Sequence, residues 1–268
     1  MNTVDLAASS VRELNSRLHG LSADTNERVW KVLNPKGAHA IAAGLMIPIE
    51  VEIDGHPGYY CAGMNKEATV IINGHCGNGV AENMMSGEVR IRGNASAAAG
   101  ATGRGGLLVI EGDAGLRCGI SMKGIDIVVG GSVGHMSAFM AQSGALVVCG
   151  DAGSSLGDSI YEARLYVQGK VDSLGSDCVE KEMTAHHVAK LDRLLSRSGL
   201  KADVRKFRRY GSARRLYNFH VDNVDAYQFD NVDAYQFDNV DAYQFDNVAA
   251  YQPASSELKL ARPEDWIC

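Results

Sequence analysis

The sequence predicts an all-β protein: a right-handed parallel β-helix of about seven 19-residue coils, with a mixed N-terminal cap and a C-terminal helix followed by an extended tail. Four columns predict it. Glycine recurs at Gly55, Gly74, Gly93, Gly112, Gly131, Gly150 and Gly169, a spacing of 19 held six times running. Four residues before each glycine stand Val51, Val70, Val89, Leu108, Ile127, Leu146 and Leu165, and two before it stand Ile53, Ile72, Ile91, Ile110, Val129, Val148 and Val167. These are aliphatic positions at the period-2 spacing of a strand with one buried face. Seven residues after each glycine the side chain is small: Ala62, Ala81, Gly100, Gly119, Ala138, Gly157 and Ser176.

One such unit, a strand, a turn and a return path of small residues, cannot bury its apolar face alone. Stacked units pair each strand with its neighbours and make a continuous core. Strands recurring in one sense form a parallel sheet, whose crossovers are right-handed because strands twist that way. A left-handed helix of hexapeptides would need about 18 residues per coil and a sub-period of six, and neither is present. Strands about 4.8 Å apart make a column roughly 30 Å long. The turn glycines then serve backbone geometry, either a positive φ or a close approach where a Cβ would clash.

The elements follow in order. Residues 1–45 read as an N-terminal cap segment, with "SSVRELNSRLHGL" placing Val11, Leu14 and Leu18 at helical spacing behind a serine start. Such a cap covers the open sheet edge that a β-helix leaves at its end. Residues 46–180 form the β-helix. Residues 181–216 read as a helical C-terminal segment, in which "EKEMTAHHVAKLDRLLSRSGL" sets Val188, Leu191, Leu194 and Leu195 on one face and stops at Gly199. Its adjacent His186 and His187 point about 100° apart on a helix, so they do not chelate as an i, i+4 pair would, and both are expected to face solvent. "VRKFRRYGSARRLYNF" carries six basic residues and reads as a docking surface or a partner for acidic sequence. In residues 217–268 the octad Asp-Asn-Val-Asp-Ala-Tyr-Gln-Phe repeats from 222, with seven Asp between 222 and 246, and reads as an extended or partner-ordered tail.

Composition narrows the function. The formal charge of −6 does not favour nucleic acid. No run of eighteen apolar residues exists, and the opening "MNTVDLAASS" lacks a basic stretch followed by an apolar one, so neither a membrane span nor a secretory signal is expected. The six cysteines (61, 76, 118, 149, 178, 268) hold no CxxC pair, which fits a reduced cytoplasmic protein without a zinc or iron–sulfur site. Cys61 and Cys118 share a column but lie three coils, about 14 Å, apart, beyond disulfide reach. The loop "VVCGDAGSSLGDS" imitates a phosphate cradle, yet no helical segment follows Gly150 to supply N–H donors, and neither nucleotide fingerprint is complete.

Several stretches, "YYCAGMNKEATV", "VAENMMSGEV", "GATGRGGLLVIEG", "RCGISMKGIDIVVGGSVGHMSAFMAQ" and "LGDSIYEARLYVQG", closely resemble the glycine-rich C-terminal GXGXG module of glutamate synthase large subunits. The resemblance is nearest to its stand-alone form, the β-helix subunit of N-methylglutamate synthase (methylamine–glutamate N-methyltransferase), and more distant to the β-helical subunit of formylmethanofuran dehydrogenase. It covers residues 45–180 and departs at the octads of 222–252. In that family a class II amidotransferase subunit uses an N-terminal cysteine, another subunit binds FMN and usually iron–sulfur, and the β-helix contacts both. The resemblance therefore implies a non-catalytic share for this chain, with no catalytic, cofactor or metal residues of its own; its first residues are Met1-Asn2-Thr3. The complex would convert methylamine and glutamate to N-methylglutamate and ammonia. An ammonia-using glutamate synthase-like complex is the alternative.

A free-standing β-helix enzyme acting on polysaccharide would need clustered outward carboxylates. The outward position three before each glycine runs Glu52, Ile71, Arg90, Val109, Val128, Val147, Tyr166, with no acidic cluster. Its apolar members, Val109, Val128, Val147 and Tyr166, form a candidate partner interface. The alternative is that the N-terminal segment or the 181–199 helix lies across them.

Overall fold

The structure, a computed structural model, describes residues 2–216. The octad stretch 222–252, and with it the expected tail of 217–268, lies outside the described residues.

The expected parallel β-helix is the fold. One sheet of eleven strands runs the length of the column. It comprises β1 (Asn2–Asp5), β2 (Val29–Leu33), β3 (Glu50–Asp54), β4 (Thr69–Asn73), β5 (Glu88–Ile91), β6 (Leu107–Ile110), β7 (Lys123–Val129), β8 (Ser143–Val148), β9 (Arg164–Val167), β10 (Cys178–Lys181) and β11 (Arg208–Ser212). From β1 to β9 each strand pairs in parallel with the next. The register aligns the two aliphatic columns, Ile91 with Ile110 with Val129 for example, and all fourteen of their side chains are fully buried. A second line of parallel bridges climbs the column through Cys76, Ala95, Ala114, Val133, Ala152 and Val171. These small apolar residues, two after each turn glycine from Gly74 on, pack in the same core as the aliphatic columns.

The return path owes its irregular look to an unusual backbone. In six consecutive coils the fifth, seventh and ninth residues after the turn glycine adopt φ between 51° and 69°. Left-handed φ costs an L-residue on the order of 1 kcal/mol, and inter-coil hydrogen bonds offset it. The N–H groups of Ala81, Gly100, Gly119 and Ala138 donate to the carbonyls of Cys61, Val80, Ala99 and Cys118 in the coil before, at 2.7–2.9 Å. The seventh residue must be small because it turns inward: a Cβ added at Gly100 would come within 2.6 Å of Ile127 Cδ1.

The turn glycines answer to a different constraint. Gly55 has φ +123°, whereas the other six keep ordinary φ and are required by close approach. The residue after each of the first six glycines points its side chain along the column and accepts the backbone N–H of its counterpart one coil on. His56 accepts from His75, His75 from Asn94, Asn94 from Asp113, Asp113 from Ser132, Ser132 from Asp151 and Asp151 from Lys170, at 2.7–3.0 Å. A Cβ on the intervening glycine would collide with that acceptor, as at Gly112 against Asn94 Oδ1. Gly112→Ala is therefore expected to cost about 1–3 kcal/mol of stability, read from chemical denaturation, although its φ suits alanine.

The ends depart from the expected boundaries. Strands β1 and β2 lie inside residues 1–45, so the stack begins at Asn2 and the boundary at 45/46 does not divide the sheet. The cap proper is α1 (Val11–His19), begun by a capping box in which Glu13 N donates to Ser10 Oγ and Ser10 N to the Glu13 carboxylate. Leu14 and Leu18 enter the column core, and Asn15 grips the first coil by donating to Ala40 O at 2.8 Å and accepting from Ala42 N at 3.0 Å. At the other end the parallel run stops because β11 pairs antiparallel with β9, and β10 antiparallel with β11. The basic stretch expected to be a docking surface is thus partly structural: Arg209, Tyr210 and Phe207 are buried, and Arg209 Nε donates to Glu182 O at 2.8 Å.

Candidate functional site

The outer face of the sheet changes character along the column. On β2 to β5 it is largely polar and half-exposed, with Lys31 paired to Asp54 at 2.8 Å and Arg90 to Glu88 at 3.0 Å. On β6 to β9 it is the apolar strip of Val109, Val128, Val147 and Tyr166. These four candidate interface residues have no exposure at all, which corrects the reading of the strip as a partner surface. The cover is α2 (Ala185–Ser198), whose Leu191, Leu194 and Leu195 pack with Phe207 on Leu107, Ala145 and the strip. An apolar stripe on the helix meets an apolar stripe on the sheet, and each removes the other from water. Val188, expected on that face, points outward at 39% exposure, and His187 takes the buried place. His187 is thereby also corrected from solvent-facing. Its Nδ1 lies 2.7 Å from Thr184 Oγ1 and closes the N-terminal cap of α2.

Polar contacts fix the helix on the strip. Arg90 Nη1 donates to Ser198 O at 2.8 Å, just before the left-handed Gly199 that ends α2. Lys190 Nζ lies 3.4 Å from Asp126 Oδ1 on β7. Burial pushes the Asp126 carboxyl above the ordinary carboxylate range, and the cations Lys190 and Arg197 only partly offset it. Burial likewise pushes the Tyr166 phenol up to about 12.

Two surface arrangements remain. At the corner nearest the N-terminus, Pro35, Lys36, Asp54, His56, His75 and Cys76 line a groove of about 580 Å3. The His56 and His75 rings stack with centroids 5.1 Å apart. Each ring accepts a backbone N–H at Nδ1, so in the neutral ring Nε2 carries the proton. Further along, His135 Nδ1 sits 2.9 Å from Ser154 Oγ, a spacing that suits an activated serine. The same nitrogen lies 3.1 Å from the Ser154 carbonyl, an acceptor only, so Nδ1 acts as donor there and is not a base toward the hydroxyl.

Among the described residues no three His, Cys, Asp or Glu side chains are grouped to hold a metal, and no helix is long and apolar enough to cross a membrane. The seven turn glycines stand one coil apart beside the ladder. The ladder beside them was missed, although its signal is visible: the residue after each glycine is His, His, Asn, Asp, Ser, Asp and Lys, nearly all side-chain acceptors.

No family model matches this chain. A curated protein of Rhizobium meliloti (strain 1021), Protein GlxC, is 63% identical over 229 residues, covering 85% of this chain and all of that protein.

Proposed function

Because the chain belongs to the family of Protein GlxC, we propose that it is the β-helix subunit of a glutamate synthase-related complex and serves as a scaffold between an amidotransferase-like subunit and an FMN-binding subunit. The observation that carries this reading is the use of the repeat columns. The stretches that resemble the GXGXG module supply core side chains, left-handed return positions, turn glycines and the ladder acceptor Ser132, so the shared sequence builds the column. Within such a complex the flavin and iron–sulfur chemistry belongs to the partners, and this chain holds their spacing. The reaction we assign to the complex joins methylamine to the carbon skeleton of glutamate, giving N-methylglutamate and releasing the glutamate nitrogen as ammonia. We assign the complex a cytoplasmic setting, as proposed from the sequence.

The test is affinity purification of the tagged chain from its own cells, beside the same chain expressed alone. We expect the native preparation to contain an amidotransferase-like and a flavin protein and to form N-methylglutamate from methylamine and glutamate. The chain alone should be colourless and inactive. Bound FMN on the isolated chain would overturn the scaffold role. Glutamate formation from ammonia, with no response to methylamine, would replace the amine and keep the complex.

A further inference from the structure

We propose that the corner groove at the N-terminal end of the column binds a small organic oxyanion, a carboxylate or a phosphate group, through the Nε2–H donors of His56 and His75 and the ammonium of Lys36.

The ladder makes both rings donors. His56 Nδ1 accepts the His75 N–H and His75 Nδ1 accepts the Asn94 N–H, each at 2.9 Å. A neutral imidazole has one acceptor nitrogen and one N–H, on opposite sides of the ring, so each Nε2–H points away from the ladder. The rings lie 16° from parallel with centroids 5.1 Å apart. Because equivalent backbone bonds hold them, the two N–H groups stand side by side, within reach of two oxygens of one anion. Neither ring has a further hydrogen-bond partner among the described residues.

The same bonds argue against a cation. His56, His75, Cys76 and Asp54 all line the groove and are zinc-ligand types. A metal needs a ring lone pair, however, and the lone pair of each ring is already given to a backbone N–H. Asp54 is engaged as well, accepting from Lys31 Nζ at 2.8 Å and Asn73 Nδ2 at 2.7 Å.

Lys36 supplies the charge. It has no ion-pair partner among the described residues, and the Asp5 carboxylate that its charge reaches is already bonded by the Ala7 N–H and Asn34. The backbone adds a third donor. On later rungs an acceptor side chain lies against the turn glycine, but at Gly55 that place is taken by the Pro35 ring, and the His56 N–H has no acceptor among the described residues. Buried Pro35 and Pro57 line the groove beneath these donors and suit the carbon part of the ligand. A volume of about 580 Å3 falls within the range of small-molecule sites. Farther along the ladder stand Asn94, Asp113, Ser132 and Asp151, which offer no ring N–H and include two carboxylates, so the donors are confined to this end.

The full chain carrying 15N-labelled histidine is titrated with inorganic phosphate and, separately, with succinate, in a buffer free of other oxyanions, and its ring nitrogens are followed by NMR. We expect the His56 and His75 Nε2 signals to shift together and saturate, while both Nδ1 atoms stay unprotonated. The probe that saturates at lower concentration distinguishes phosphate from carboxylate. His56→Asn with His75→Asn keeps a ladder acceptor of the kind Asn94 provides, so it should melt as the unsubstituted chain does while binding weakens at least about tenfold. Lys36→Gln should weaken binding about threefold. The titration of the unsubstituted chain is decisive whether or not the double variant folds. The proposal is overturned if neither probe shifts the two ring signals saturably, if the folded double variant binds as tightly as the unsubstituted chain, or if zinc displaces the Nε2 protons.

Discussion

Ile110→Asp abolishes the cooperative fold. Ile110 sits at mid-stack, between Ile91 and Val129 in the inward column, with no exposure. The substitution removes an aliphatic side chain whose burial contributes about 1.5–3 kcal/mol. It also places a carboxylate among aliphatic neighbours, where an unpaired charge costs several kcal/mol more. The sum is comparable to the roughly 5–15 kcal/mol that separates a whole domain from its unfolded state. Circular dichroism melting and size-exclusion chromatography should show aggregated protein without a single transition, while Ile110→Val should lose only about 1 kcal/mol. A soluble aspartate variant with a sharp melt would mean that this column does not face inward.

The second large effect is expected on the outer face. Val128→Lys with Val147→Lys places two ammonium groups side by side in the sheet, beneath Leu191, Leu194 and Leu195 of α2. Long lysine stems let part of each charge reach water, so the helix should lift from the strip rather than the whole column unfold. We expect the isolated chain to lose on the order of 5 kcal/mol and protease to cut within residues 181–204, where the unsubstituted chain resists. The two sites are in contact, so the double variant should differ from the sum of the single ones. Unchanged stability with lost assembly would restore the strip as a partner surface, and unchanged stability with intact assembly would show that α2 is not seated there.

The residue spacing made much of the column legible. A period of 19 with two aliphatic columns admits few arrangements, because only stacking in register buries every Val, Ile and Leu of the repeat at once. The small column was equally visible, but its reason was not: glycine and alanine seven residues past the turn satisfy both a left-handed φ and a tight interior, and composition does not separate the two. The turn glycines show the converse. Glycine suggests freedom of φ, yet at Gly112 and Gly131 the missing Cβ makes room for Asn94 and Asp113 of the coil before, a contact between residues 18 positions apart.

What the sequence determined by itself is the architecture, since a repeat writes the same local instruction seven times and the shared core follows from it. What only the tertiary structure decided is the destination of each surface. Valines at 109, 128 and 147 are apolar and outward whichever body covers them, and nothing in their spacing distinguishes a helix of the same chain from a second protein. Leu191, Leu194 and Leu195 are amphipathic wherever they land. That the two stripes meet is set by the return of the chain through β10 and α2 and by contacts such as Arg90 with Ser198, 108 residues apart. Such contacts carry no periodic trace, because each is made once, and burial of matched apolar area fixes them only when the whole chain is folded.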